Sequence, residues 1–511
     1  MKYFFNPILP LLFIACTAYN QPIYYSSNKV LHSSNYQHNI IGNVDGNIIV
    51  WETLIKKQRQ AKIYVYDNSM QLINEATTNI LRHKGDPASR FYNAGNMFYV
   101  TCQYKHRKTF LYQLASFDKS GNLMSVKTLD SLNTSDRSIA NQDFFYNILR
   151  SGNGKTICFN KMSYDSSYHV LKFNCSFVTG DELIHKDFVI PFNAANESLT
   201  DIIVDNNKNV LLLKTSASNN LVNFKLIKQK FSNNEMLIAE KSINKYAFED
   251  NPIRVAEKPG GYLVFGNIGE DSIYIHKCRL YVWQTDDALN DLPGDTFINN
   301  QEFTGNRISY TANISTNEKF SSVFATWSQV DAADNYALRP NYGVVSKVDE
   351  FRYPLPNYVG YMTPEGVYIN QGYNTPPTDY SSQPYFTPDV TLPLDKFKIE
   401  LFRVNNSNNV VWSNSFNDSI DNRTAANLGS AKIIAGNNAI HIIYEVIANK
   451  KSKTLDHIAV KPDGTFTRNF FAAWNTKYDY SLEDCVLTDK NELIIPAING
   501  AKMKFVKTNL Q

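Results

Sequence analysis

Val44-Asp45-Gly46-Asn47-Ile48-Ile49-Val50-Trp51 sets a turn signal directly ahead of an unbroken apolar run. Asp followed by Gly supplies the positive φ that a tight hairpin demands, and a short β-branched run bounded by such a signal reads as a buried strand. The unit returns along the chain, at 94–100, 152–158, 205–212, 259–265, 317–324, 364–369, 436–443 and 489–495. Each copy is followed by a polar break, an alternating strand and another turn. Ile63-Tyr64-Val65-Tyr66-Asp67-Asn68-Ser69, Ala115-Ser116-Phe117-Asp118-Lys119-Ser120-Gly121 and Ile458-Ala459-Val460-Lys461-Pro462-Asp463-Gly464 are three such second halves. Every unit therefore reads as a four-stranded antiparallel meander.

A lone meander exposes both faces, whereas a ring of meanders buries each face on the next and leaves only short edges. The repeated units accordingly resemble the blades of a β-propeller, and the resemblance covers nearly all of the chain. The expected fold is all-β, a single propeller of about eight four-stranded antiparallel blades, with seven as the alternative count. Nine turns recur, so one or two of them belong to extra hairpins. After Ile495 there is room for only one more strand, near 503–506; residues 24–32 are placed to supply the outer strand that the last unit lacks.

The length of 511 residues would suggest three domains at roughly 150 residues each, but one closed ring accounts for it equally well. Lys and Arg total 51 against 48 Asp and Glu, a net charge of +3, which offers no electrostatic funnel for nucleic acid. Lys2, the apolar stretch around Pro10 and the small residues after it form the pattern of an export signal. The signal ends at residue 18, or at 15 if Phe13-Ile14-Ala15-Cys16 is a lipobox and Cys16 becomes the lipidated first residue. The propeller then occupies 19–511, with a Pro/Tyr-rich insertion at about 350–395. The expected location is outside the cytoplasm of a diderm bacterium: periplasmic, outer-membrane-anchored or secreted, touching a membrane only through a lipid on Cys16.

Chemical signatures are sparse. No GxSxG, HExxH, phosphate-loop or dinucleotide motif occurs. Cys158 and Cys175 flank Tyr164-Asp165-Ser166-Ser167-Tyr168 symmetrically, so a hairpin turning at Ser166-Ser167 would face them across the strands and permit a disulfide; two buried free thiols are the other reading. Asp286, Asp287, Asp291 and Asp295 crowd one loop and could offer oxygens to Ca²⁺, though without the EF-hand pattern, and a solvated loop is the expectation. No cofactor is expected otherwise. His441 and His169 lie in apolar strand patterns that suit packed histidines.

Between Pro354 and Pro393 stand eight of the chain's 19 prolines, interleaved with tyrosines. Proline denies ladder hydrogen bonds, so this stretch reads as an ordered loop on one blade, and Tyr373, Tyr380 and Tyr385 make it the candidate binding loop. The functional expectation is a non-catalytic, monomeric envelope or secreted module that presents propeller loops to a protein or glycan. The alternative is a propeller polysaccharide hydrolase or lyase with its site at the central channel.

Overall fold

The structure is a computed structural model. It describes residues 23–510 except 34, 55–59, 81–89, 95, 107–108, 134–146, 166, 181, 219–220, 244–245, 248–252, 270–276, 295, 305–306, 314–321, 331–359, 363–367, 371–396, 418–426, 450–451, 471–476, 483 and 489–490. All described elements are strands, and apart from one two-stranded hairpin they form eight antiparallel sheets built on four-stranded meanders, numbered here as blades 1 (36–78), 2 (90–133), 3 (147–191), 4 (198–243), 5 (246–304), 6 (307–417), 7 (427–470) and 8 (479–509). In blades 1 to 7 the strands follow one another in sequence order, and first strands approach those of neighbouring blades, so the chain runs from the centre outward and then steps on. Blade 5 carries an extra two-residue strand, Tyr246–Ala247.

The ring closes as the sequence predicts. Ile23–Tyr25 and Val30–Leu31 pair antiparallel with the strand Lys502–Asn509 and give blade 8 its outer edge. Val30 is thereby buried together with Ile40, Ile48 and Tyr64 of blade 1 and Ile494, Met503 and Phe505 of blade 8. Comparable apolar layers join the other neighbours. Trp51 of blade 1 is wholly buried, its ring 5.3 Å from that of Phe91 and 5.7 Å from that of Phe117 in blade 2, while its indole N–H donates to Thr53 Oγ1 at 2.8 Å. Between blades 6 and 7 hydrogen bonds take a larger share. Trp412 Nε1 and Arg403 Nη1 both donate to the carbonyl of Pro462, and Phe416 meets Phe466 edge-on at 5.4 Å.

One turn recurs on a single end of the ring. Asp205 Oδ1 accepts the N–H groups of Asn207 and Asn209, both at 2.8 Å, and Lys208 takes φ +65°. Asp67, Asp118, Asp286 and Asn405 head turns of the same kind, with Met70, Gly121, Leu289 and Asn408 at positive φ. A short side-chain acceptor satisfies the turn's donors while the fourth residue bends left-handed, which suits the twist of the flanking strands. This turn chemistry explains the Asn- and Asp-rich composition.

The blade count of eight resolves the nine candidate turns. Of the candidate turn at 364–369 only Tyr368 and Ile369 are described, and they lie in the strand Tyr368–Asn370, which pairs with Gly360–Met362 outside the eight blades. The flanking strands Val323–Val330 and Phe397–Val404 pair directly with each other in blade 6.

Candidate functional site

Three successive inner turns, one each from blades 3, 4 and 5, are laced together on the turn-bearing end of the ring. The N–H of Asn153 donates to Asn206 Oδ1 at 2.7 Å, and the N–H of Asn206 donates in turn to the Glu257 carboxylate, 3.1 Å from Oε2 and 3.2 Å from Oε1. Gly152 allows the approach: a Cβ there would lie 3.1 Å from Glu257 Oε2. Burial pushes the Glu257 carboxyl up to about 7, and the charge of Asp205 adds to the rise; the amides of Asn206 and Gly152 pull the other way. Glu257 therefore holds or releases a proton near neutral pH.

Behind it lies a fully bonded network. The Tyr262 hydroxyl donates to the buried Asp205 at 2.7 Å and sits 3.1 Å from Asp287 Oδ1. Lys228 Nζ donates to Asp287 Oδ1 at 2.7 Å and to its carbonyl at 2.9 Å. Burial and the two carboxylates hold the Tyr262 phenol well above its ordinary value, so it stays a donor. The Lys228 ammonium in turn keeps the Asp287 carboxyl below the usual range.

The residues singled out in the sequence fare differently. Asp286 caps its own turn through Asn290, Asp287 serves the network above, and Asp291 accepts from Trp283 Nε1 at 2.8 Å and from Lys241 Nζ at 3.0 Å. The three carboxylates thus face separate partners, and among the described residues no three His, Cys, Asp or Glu side chains are gathered as a metal site. Asp295, Cys16, Tyr373, Tyr380 and Tyr385 lie outside the described residues.

The cysteine register requires a correction. Asp165 pairs with Val170, so the turn is one residue later than Ser166-Ser167; Cys158 consequently faces Phe177, and Cys175 faces Asn160. Moving a hairpin's centre by one residue moves every cross-strand partner by two. The thiols are diagonal neighbours, an arrangement with Cα atoms about 7–8 Å apart that exceeds disulfide reach. Both are free and buried, within hydrogen-bonding reach of each other, and burial raises the Cys158 thiol well above its ordinary value.

Two side-chain pairs were not legible in advance. His38 Nε2 lies 3.0 Å from Glu52 Oε2 with both side chains nearly buried, and Tyr64 also hydrogen-bonds Glu52. The available signal was the polar His38 in the inner strand of blade 1, but its partner on the next strand depends on register. In blade 7, His441 Nδ1 and His457 Nε2 meet at 2.9 Å with stacked rings, and burial lowers the two imidazoles to about 4 and about 3. They are neutral at pH 7, as packed histidines should be.

No protein-family model matches the chain, and no curated protein sequence matches it. Among solved structures it is similar to the β-propeller domain of the Trilobed protease from Pyrococcus furiosus, with 9% identity, 83% of this chain and 94% of that one covered, and a TM-score of 0.34. It is also similar to a variant of the Synechocystis apocarotenoid oxygenase, with 10% identity, 57% and 65% covered, and a TM-score of 0.28. Such distant likenesses carry nothing about activity; the chain's own sheets make it an eight-bladed β-propeller.

Proposed function

We propose that this propeller is an exported, non-catalytic binding or scaffolding module of the cell envelope that presents its loops and rim to a protein or glycan partner. One observation carries the reading: among the described residues Asp205, Lys228, Glu257, Tyr262 and Asp287 are engaged in bonds that lace blades 4 and 5 together, while the outer strands leave apolar side chains in water. Ile73 is 53% exposed, and Leu123, Met124 and Val126 are 45%, 60% and 45% exposed. Asn74 Nδ2 donates to the carbonyl of Ser120 at 2.8 Å, which ties the outer strand of blade 1 to the last turn of blade 2. Exposed apolar side chains on the rim supply contact area to a partner. The Pro/Tyr-rich loop with Tyr373, Tyr380 and Tyr385 is the second proposed contact element, and lipidated Cys16 is the proposed tether.

The test is a glycan panel incubated with purified protein. Retention of a glycan with no new reducing ends is the expected result, and Leu123→Asp with Met124→Asp should weaken partner binding; release of reducing ends would refute a non-catalytic role. In cells, Cys16→Ala should move the protein from the membrane to the soluble fraction, and unchanged fractionation would remove the lipid tether.

The hydrolase or lyase reading is favoured by one feature, the Glu257 carboxyl that stays half-protonated near pH 7 beside Asp205. A general acid needs such a proton. If reducing ends do appear, Glu257→Gln must abolish them for this site to be responsible.

A further inference from the structure

The outer edge of blade 8 gathers three lysines. Lys29 and Lys502 are exposed, Lys504 is half-buried, and Leu31, which is 53% exposed, faces Lys502 directly across the strand pair. Lys504 Nζ donates to the carbonyl of Ser26 at 2.8 Å, and its ammonium is held below its ordinary value by burial and then by the charge of Lys29. Among the described residues none of the three lysines forms an ion pair with a carboxylate, whereas Lys507 on the same strand binds Glu492 at 2.7 Å and lies over the ring of Tyr24. Tyr24, 37% exposed, continues the apolar component along the edge.

The position of this edge in the chain gives it a partner. It is built from the first described residues, and only residues 17–22 separate Cys16 from Ile23. The seven Cα-to-Cα steps from Cys16 to Ile23 reach at most about 25 Å even when extended. A lipid on Cys16 would therefore hold the edge against a bilayer surface. Uncompensated lysines around exposed Leu31 suit phosphate headgroups above acyl chains.

We propose that the outer edge of blade 8, through Lys29, Lys502, Lys504 and Leu31, docks directly on an anionic lipid surface. The inference rests on the envelope reading above, but the contact itself is electrostatic and does not require the lipid tether. Each basic residue near an anionic leaflet strengthens binding about fivefold, so three would contribute on the order of a hundredfold.

The experiment uses the full chain with Cys16→Ala, sedimented with vesicles of phosphatidylcholine alone or containing phosphatidylglycerol. The unlipidated protein should pellet with the anionic vesicles only, and release at high salt. Replacing Lys29→Gln and Lys502→Gln, neither of which holds a structural bond, should weaken binding by about thirtyfold; adding Lys504→Gln should weaken it further. Melting curves establish that each variant is folded, and the double variant suffices if the triple one is not. Equal pelleting with neutral vesicles, undiminished binding by the double variant, or lysine-dependent self-association in sedimentation velocity would each overturn the proposal. Should wild-type protein fractionate in cells like Cys16→Ala while anionic vesicles still bind, the tether fails and the docking edge stands.

Discussion

Glu257 carries a pH signature close to neutrality. Its carboxyl titrates at about 7 in the fold against an ordinary value of 4.5, so the fold favours the protonated form. Its contribution to stability is complete below about pH 4.5 and is lost as pH rises through about 7. Glutamine keeps the shape and a carbonyl acceptor for the Asn206 N–H, yet never ionises. Glu257→Gln should therefore melt above the wild type at pH 8 and lose that advantage toward pH 4.5. The buried His441 and His457 act in the opposite sense, losing stability as pH falls below 6.5, so the quantity to read is the difference between variant and wild-type melting curves across pH. A flat difference would mean that Glu257 is not perturbed. Glycines give a second contrast. A Cβ on Gly261 would lie 2.0 Å from the carbonyl oxygen of Thr285, while one on Gly46, at φ +90°, meets nothing within 4 Å. Gly261→Ala should cost about 3 kcal/mol by overpacking and Gly46→Ala about 1 kcal/mol by backbone strain, as read from denaturant midpoints.

Strands and turns were the most legible part of the sequence because their signals are local. An Asp at the head of a turn and an Asn four residues on satisfy the backbone within five residues, as Asp118 and Asn122 do. Register is less local, and it failed at Cys158 and Cys175, where His169 at φ +51° extends the turn. The hairpin at 360–370 shows the limit in another way: its turn signal matches that of a blade, and only the pairing of 323–330 with 397–404 reveals that it stands apart. The candidate site was not legible at all. Asn153, Asn206 and Glu257 belong to three different blades, and no periodicity records which inner turns will touch. The closing strand, by contrast, was legible from the missing outer strand of the last unit. Its removal makes a definite prediction. Deleting 23–31 strips Val30 from the layer between blades 8 and 1, removes the Asn28 Oδ1 that accepts from the Tyr66 hydroxyl at 2.8 Å, and bares the edge of Lys502–Asn509. The loss should exceed about 3 kcal/mol, and the bared edge should promote self-association. An unchanged melting temperature with no rise in aggregation would show that the ring does not depend on this strand.

The eight sheets hold one another, so the ring can be cut only where a connection leaves it. The longest such connection runs from 331 to 396, between two strands of blade 6 that already pair. Gln329 faces Phe397 in that ladder, and paired Cα atoms stand only about 5 Å apart. A two-residue Asn-Gly turn in place of 330–396 should therefore join Gln329 to Phe397 without disturbing the register. Among the described residues the buried apolar side chains of blade 6, Val323, Phe324, Ile399, Leu401, Phe402, Val404 and Phe416, all lie on the retained strands, and Phe324 and Phe402 pack with Leu263 and Phe265 of blade 5. The shortened chain is expected to fold with its melting temperature close to that of the full chain, since closing a shorter loop costs less entropy. If Tyr373, Tyr380 and Tyr385 carry the proposed partner binding, the same shortened chain should lose that binding while its vesicle docking through blade 8 persists. A large drop in melting temperature would make the insertion part of the fold, and retained partner binding would shift the contact to the rim around Leu123 and Met124.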